Sequence, residues 1–332
     1  MFTLIFSKIS KKDTKIAGGK GASLGEMANA GFSVPPGFVV LAGVFERFLA
    51  ETDINIEIDA MWDRINIEDI ESVEENSEIV RSLILNKEMP EDIGKEILKE
   101  FKKLKTKYVA VRSSATAEDS KIDSWAGELE SYLDTTEKTL LKNVKKCWAS
   151  LFSPRALFYR VERNLHRKQV SVAVVVQKMV QSEVSGICFT VHPVTKNKNQ
   201  MVLEAGWGLG EAIVGGKITP DTYIVEKCKN QNAKIKTINH KSKIEKDEFA
   251  ILDINISEQE KMIVGAKSGS GVEEVKVPKA KQEKQKLDNK KIIDLAKICG
   301  KIERHYKSPQ DIEWAMEKSK FYITQSRPIT TL

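Results

Sequence analysis

The stretch Asp311-Ile312-Glu313-Trp314-Ala315-Met316, followed four residues later by Phe321-Tyr322-Ile323-Thr324-Gln325-Ser326-Arg327-Pro328-Ile329, reads as two strands joined by a tight turn. Side chains two apart on a strand share a face. Asp311, Glu313 and Ala315 therefore point one way, and Ile312, Trp314 and Met316 the other. On the second strand Ile323, Gln325 and Arg327 share a face, and a turn centred near Ser319 brings Glu313 close to Gln325. One face then gathers two carboxylates, an amide oxygen and a guanidinium above an apolar underside. Magnesium favours few carboxylates, a further oxygen ligand and room for phosphate oxygens, and Arg327 is suited to grip phosphate in bidentate fashion. A wet sheet face with an ordinary Glu–Arg pair fits the same pattern, so the hairpin alone leaves both readings open.

Upstream, Gly18-Gly19-Lys20-Gly21 precedes an apolar pattern at helical spacing, Leu24, Met27 and Ala28, which Gly31 is placed to end. Glycines on both sides of Lys20 let the backbone approach a ligand, and the following helix would aim its N-terminus at an anion. This is no Walker A loop: Thr14 stands where the first glycine belongs, and Gly21 replaces the Ser or Thr. A strand over 108–111 ends at Arg112-Ser113-Ser114. Strand ends collect ligands in open sheets, so Arg112 is a second candidate for an anion, against a plain cap paired with Glu118 or Asp119. Ser124–Gly127 fits a flap over phosphates or an ordinary loop. The β-branched run Val170–Val176 is a buried strand. It passes through Gln177-Lys178-Met179-Val180, whose backbone can hydrogen-bond a flat heterocycle while Met179 packs on the ring.

Further strands are expected at 186–191, 201–204, 222–226 and 234–238, and helices over 44–104, 137–165 and 292–305. The segment 241–291 is polar and weakly patterned, with Ser268-Gly269-Ser270-Gly271 as a mobile turn. Glu204-Ala205-Gly206-Trp207-Gly208-Leu209-Gly210 has the wrong glycine spacing for a dinucleotide fingerprint.

The chain has 332 residues, 41% hydrophobic and 30% charged, enough for a substantial core and against general disorder. Its charge of +6 owes much to the lysine-rich stretch Lys276–Lys291. No aromatic interleaves those lysines to stack a base, so a solvated linker or helix face is expected and nucleic acid is not. Cys147, Cys188, Cys228 and Cys299 form no CxxC pair, which argues against a zinc site or a disulfide framework and suits a cytoplasmic protein. No segment is apolar enough to span a membrane, and none of the four histidines has the context of a nucleophile.

Six motifs occur in order: Gly18–Met27, Val111–Asp119, Val176–Val180, Gly208–Glu211, Asp311–Ala315 and Gln325–Pro328. Together they resemble the N-terminal nucleotide-binding domain of phosphoenolpyruvate synthases, pyruvate phosphate dikinases and rifampin phosphotransferases. The resemblance implies an α+β, ATP-grasp fold, with ATP between two mainly antiparallel sheet subdomains. One would cover 1–107, with the Lys20 loop and a helical insert, and the rest 108–332. It implies that Lys20, Arg112 and Arg327 engage phosphates and act in catalysis, that Gly127 lies in a flap, and that Gln177, Lys178, Met179 and Val180 hold adenine. Glu313 and Gln325 would bind Mg2+, with Asp311 nearby. The implied activity is phosphoryl donation, as in ATP + pyruvate + water to phosphoenolpyruvate + AMP + phosphate. The acceptor would be a histidine on a swivelling domain, with a pyruvate-binding domain beyond it, in trans or on a longer parent chain. Two features depart from the family pattern: the flap Ser124-Trp125-Ala126-Gly127-Glu128-Leu129-Glu130 is acidic, and no Thr-Ser-His occurs.

Overall fold

The computed structural model describes residues 1–116, 130–165, 170–228 and 248–330. Gly127, Glu128, the expected strand at 234–238, His166 and His240 lie outside the described residues. The chain forms two compact units: residues 1–179 with 265–272, and residues 180–264 with 273–332.

The first unit runs β1 (Thr3–Ile5), α1 (Thr14–Asn29), β2 (Gly37–Val40), four helices α2 (Ala42–Glu51), α3 (Ile54–Arg64), α4 (Ile70–Asn86) and α5 (Glu91–Lys103), then β3 (Val109–Ala115), β4 (Ser131–Thr135), α6 (Glu137–Ala149), α7 (Pro154–Glu162) and β5 (Val172–Lys178). Its sheet has the order β1-β2-β5-β3-β4, with neighbours antiparallel. The boundary expected at 107/108 therefore cuts through one sheet, since β1 and β2 precede it and β3 to β5 follow. Val109 and Val111 of β3, and Val172, Val174 and Val176 of β5, point into a core shared with the helical insert. Trp148 is fully buried there, its ring 5.6 Å from Phe45 and 5.1 Å from Phe48. The insert helices follow from their spacing. Ile93, Ile97 and Phe101 recur one turn apart on the buried side of α5, with Glu91 and Asp92 in its first turn and Lys102 and Lys103 in its last, matching the helix dipole.

The second unit runs β6 (Val184–Phe189), β7 (Gln200–Trp207), α8 (Glu211–Val214), β8 (Asp221–Lys227), β9 (Phe249–Asn255), β10 (Lys261–Gly265), β11 (Val272–Lys276), α9 (Lys279–Gln282), α10 (Asn289–Tyr306), β12 (Gln310–Glu317) and β13 (Lys320–Pro328). Its antiparallel sheet has the order β13-β12-β6-β7-β8-β9. Helix α10 starts at Asp288, whose carboxylate accepts from the Lys291 N–H, and buries Ile292, Leu295, Ala296, Cys299 and Ile302 at three- and four-residue spacing.

Within the expected 241–291 segment, the described residues 248–291 are more ordered than their polarity suggested, since they supply β9, β10, β11 and α9. The turn over 268–271 is held: the Gly271 N–H donates to the Asp134 carbonyl at 3.1 Å, and the Ala266 N–H to the Gly271 carbonyl at 2.9 Å. Antiparallel sheets with segregated helices place the chain in the α+β class.

Candidate functional site

Lys20 lies inside α1, just after a break. Gly18 has φ 67° and ψ 171°, so the helix restarts at Gly19. A Cβ on Gly18 would come within 2.2 Å of the Ser114 carbonyl and hydroxyl oxygens, so glycine is required by both conformation and space. The Ser114 hydroxyl ties the break to β3: it donates to the Ala17 carbonyl at 2.9 Å and accepts from the Gly21 N–H at 3.2 Å. The far end of α1 closes as expected at Gly31, φ 82°. There the Phe32 N–H bonds the Met27 carbonyl and the Gly31 N–H the Ala28 carbonyl.

Arg112 is two residues before Ser114 on β3, so both side chains leave the sheet on the α1 side. Ser113 points the opposite way, its hydroxyl against the Cys147 carbonyl and the Ser150 hydroxyl. Burial pushes the Cys147 thiol up to about 12, so it is no nucleophile. Glu130, at the edge of the acidic flap, is engaged by Arg81 at 3.2 Å and by the Tyr132 hydroxyl.

Gln177 is a buried residue of β5 whose side-chain amide donates to the Pro35 carbonyl at 3.3 Å, bracing the Val34–Pro36 turn. The Lys178 and Met179 N–H groups are likewise engaged, at Pro36 (2.8 Å) and Tyr108 (3.1 Å). Val180 is the first residue of the second unit and is buried.

The hairpin of β12 and β13 has the expected pairing. Glu313 stands opposite Gln325, and Asp311 opposite Arg327. The turn residues Lys318 and Ser319 both have positive φ, 50° and 63°, the backbone of the tight turn whose twist matches paired strands. Arg327 is clamped to Asp311, with Nε at 2.9 Å and Nη2 at 2.8 Å from Oδ2. One expectation fails. The register shifts between Glu313 and Trp314, so Ile323 pairs with Trp314 and Thr324 is an extra residue. Ile323 therefore joins the buried underside instead of sharing a face with Gln325 and Arg327.

The sheet order adds a residue that the sequence reading missed. Glu313 pairs with Ile187 on β6, and Ile187 with Glu204 on β7, so Gln325, Glu313, Ile187 and Glu204 form one row on one face. Burial raises the Glu204 pKa above the ordinary carboxylate range, and the negative charge of Asp311 raises it further. Asp311 is also raised, mainly by burial and additionally by Glu313, while its Arg327 partner pulls the other way.

Gln325 is 6% exposed, and its Oε1 is buried with no hydrogen-bond partner. A buried amide oxygen normally has a donor or a cation. Carboxylates and an amide oxygen are hard donors that suit magnesium, so the residues present fit such an ion. Among the described residues no three His, Cys, Asp or Glu side chains are close enough to ligate one metal by themselves. No described helix is long and apolar enough to cross a membrane.

Residues 14–332 match the family described as pyruvate phosphate dikinase, AMP/ATP-binding domain, and the chain belongs to that family. Among particular relatives, it is 43% identical over 338 residues to a probable phosphoenolpyruvate synthase of Methanocaldococcus jannaschii, covering all of this chain and 27% of that protein. A probable phosphoenolpyruvate synthase of Archaeoglobus fulgidus is 44% identical, with all of this chain and 42% of that protein covered. A rifampicin phosphotransferase of Bacillus cereus is 37% identical over 334 residues, with all of this chain and 36% of that protein covered. The chain thus spans less than half the length of these relatives, and the part it matches is their ATP-binding portion.

Proposed function

We propose that the chain has the ATP-grasp fold, binds ATP with Mg2+, and serves as the phosphoryl-donating domain of a phosphoenolpyruvate synthase-like phosphotransferase. The observation that carries this reading is the hairpin, where Glu313 faces Gln325, Asp311 faces Arg327, and a buried Gln325 oxygen lacks a partner. Glu313 and Gln325 would hold the cation with Asp311 beside them. When bound, that ion supplies charge neutralisation at the phosphate oxygens.

The chain's own groups would position and stabilise. Asp311 fixes the Arg327 guanidinium on one edge and leaves other donors for a phosphate. The break at Gly18 lets α1 restart beside Lys20, so its first N–H groups and its positive dipole end favour an anion. Arg112 adds a third cation. Phosphoryl transfer needs positioning and charge stabilisation more than covalent chemistry by the protein, and this set provides both. Main-chain groups around Met179 and Val180 would meet adenine, while the Gln177 side chain braces the strand that carries them. A flap role for Gly127 belongs to the same proposal.

The phosphoryl group would pass to a histidine on a separate swivelling domain. The acceptor chemistry would follow the phosphoenolpyruvate synthases, which recur among the relatives, with the rifampicin phosphotransferase as the second reading. Lys20→Ala and Arg327→Ala should each weaken ATP binding at least tenfold, and Glu313→Ala should raise the magnesium requirement. Radiolabel from ATP should reach a histidine-domain partner only when this chain is present. Tight ATP binding without transfer to an intact partner would instead mark a nucleotide-sensing module.

A further inference from the structure

The strand that carries Gln325 and Arg327 has two ways to pair. The turn at Lys318 and Ser319 sets Glu317 against Lys320, Met316 against Phe321 and Trp314 against Ile323. Carried on without interruption, that ladder would set Glu313 against Thr324, Ile312 against Gln325 and Gln310 against Arg327. Phe321, Ile323, Gln325 and Arg327 would then all share the apolar underside. The observed ladder skips Thr324 instead. Ile312 therefore faces Ser326, and Gln325 and Arg327 stand on the face of Glu313 and Asp311. Within the described sheet β13 is an edge strand paired with β12 alone, so its register is set from that one side.

Gln310 sits where the two registers differ. It lies on the underside with Ile312 and Trp314, and its own backbone is pinned to the residue that follows β6. Its N–H donates to the Thr190 hydroxyl at 2.8 Å, and its carbonyl accepts from the Thr190 N–H at 2.9 Å. The side-chain amide donates to the Ser308 and Pro309 carbonyls at 3.2 and 3.1 Å and to the Ser308 hydroxyl at 2.9 Å. Carbonyls can only accept, which fixes the orientation of the amide and turns its oxygen toward β13. There the Ser326 hydroxyl donates to Gln310 Oε1 at 2.9 Å, with both side chains buried. In the uninterrupted ladder Ser326 would lie against Asp311 on the other face, out of reach of Gln310. That register would also draw the Arg327 charge away from Asp311 to the underside with Ile312 and Trp314, where burial of a charge is costly.

We propose that Gln310 is a positioning residue for the candidate site, acting through Ser326 to hold β13 in the register that carries Gln325 and Arg327 to the face of Glu313 and Asp311. This rests on the reading of the hairpin as the face that binds the cation and the phosphates. Gln310 touches neither ligand. It fixes, from the dry side of the sheet, which side chains the wet side presents.

The test joins two measurements on the complete chain: ATP affinity in excess Mg2+ by calorimetry, and residue-resolved amide exchange of β13 without ATP. Gln310→Met and Ser326→Ala should each weaken ATP binding about tenfold, the effect of removing one buried hydrogen bond and stranding its partner. Each should speed exchange about tenfold at Gln325, Ser326 and Arg327 and leave Phe321 to Ile323 unchanged. Gln310→Met added to Gln325→Ala and Arg327→Ala together should weaken ATP binding no further, because the groups it positions are gone. A further tenfold loss in that background would reduce Gln310 to a packing role and overturn the proposal. Wild-type affinity in both Gln310→Met and Ser326→Ala, with binding weakened in Arg327→Ala, would overturn the role of Gln310 and leave the hairpin reading intact. Wild-type affinity in the chain carrying Gln325→Ala and Arg327→Ala would overturn the hairpin reading itself, and the exchange of β13 would still decide whether Gln310 holds the register. If Gln310→Met does not fold, Ser326→Ala, which removes a single oxygen, carries the same comparisons.

Discussion

Asp221→Asn should destabilise the second unit by about 3–5 kcal/mol, the range for stranding one partner of a buried ion pair. The Asp221 and Lys286 side chains are both fully buried, 2.7 Å apart. Asp221 also accepts from the Tyr223 hydroxyl at 2.8 Å, the Lys286 N–H at 2.9 Å and the Ser257 N–H at 3.0 Å. Asparagine keeps one oxygen for these donors but removes the charge, which leaves the Lys286 ammonium uncompensated. Hydrogen exchange read by mass spectrometry on peptides from β8 and α10 is the suitable assay. Those amides should lose protection by roughly 140- to 3,700-fold, the same energy range converted at 1.4 kcal/mol per decade. Tyr223→Phe removes two bonds of the hydroxyl, its donation to Asp221 and its acceptance from the Leu287 N–H, and should cost about 1–3 kcal/mol. Asp221→Asn combined with Lys286→Met should recover much of the loss, because an apolar pair no longer strands a charge. A loss of protection below tenfold in Asp221→Asn would refute the idea that this pair locks residues 257 and 286 onto β8.

Gly18→Ala combines a positive-φ strain with a 2.2 Å clash against Ser114, so it should shift the restart of α1. ATP affinity, measured by calorimetry, should fall as steeply as in Lys20→Ala although no phosphate-binding group is removed. For pH, a carboxyl whose folded pKa is raised favours the folded state when protonated, and that contribution fades as pH rises through the raised pKa. Burial and Asp311 raise Glu204. Without divalent cations, Glu204→Gln should therefore be more resistant to urea than wild type at pH 7, and the difference should shrink as pH falls through the carboxylate range. Cys147, Cys188 and Cys299 are buried, whereas Cys228 is partly exposed. A thiol-reactive dye should label Cys228 first and the other three only on unfolding.

The hairpin was legible because two strand patterns lie only a short turn apart, but the two-residue turn alone would set Glu313 against Thr324, and it is the bulge that brings Gln325 opposite Glu313. The bulge at Thr324 was not legible, because nothing in a run of strand-forming residues marks which one the ladder skips. The helix next to the glycine cluster was legible, but it takes in the cluster and Lys20 itself, and the break at Gly18 depends on Ser114, 96 positions along the chain. Glu204 was missed for a related reason. Its strand was legible from Met201, Leu203 and their neighbours, but its closeness to Glu313 depends on β6 lying between β7 and β12. Strand order is set by packing among distant segments, and a single sequence does not display it. Residues 249–276 hid three strands because most of their side chains are half-buried or exposed and few are fully buried, which blurs the alternation that announces a strand.

The bulge has a consequence for length variation in this hairpin. Trp314 pairs with Ile323 and Glu313 with Gln325, so β13 carries one residue more than its ladder uses. Deleting Thr324 would keep every facing pair and return Ile323 and Gln325 to regular alternation. Deleting a paired residue between Lys320 and Ile323 would instead force the turn to be rebuilt or turn the strand's apolar side outward. Thr324 is thus the position where the strand can be shortened without exchanging its wet and dry sides, at the cost of the local twist that sets the direction of Gln325 and Arg327.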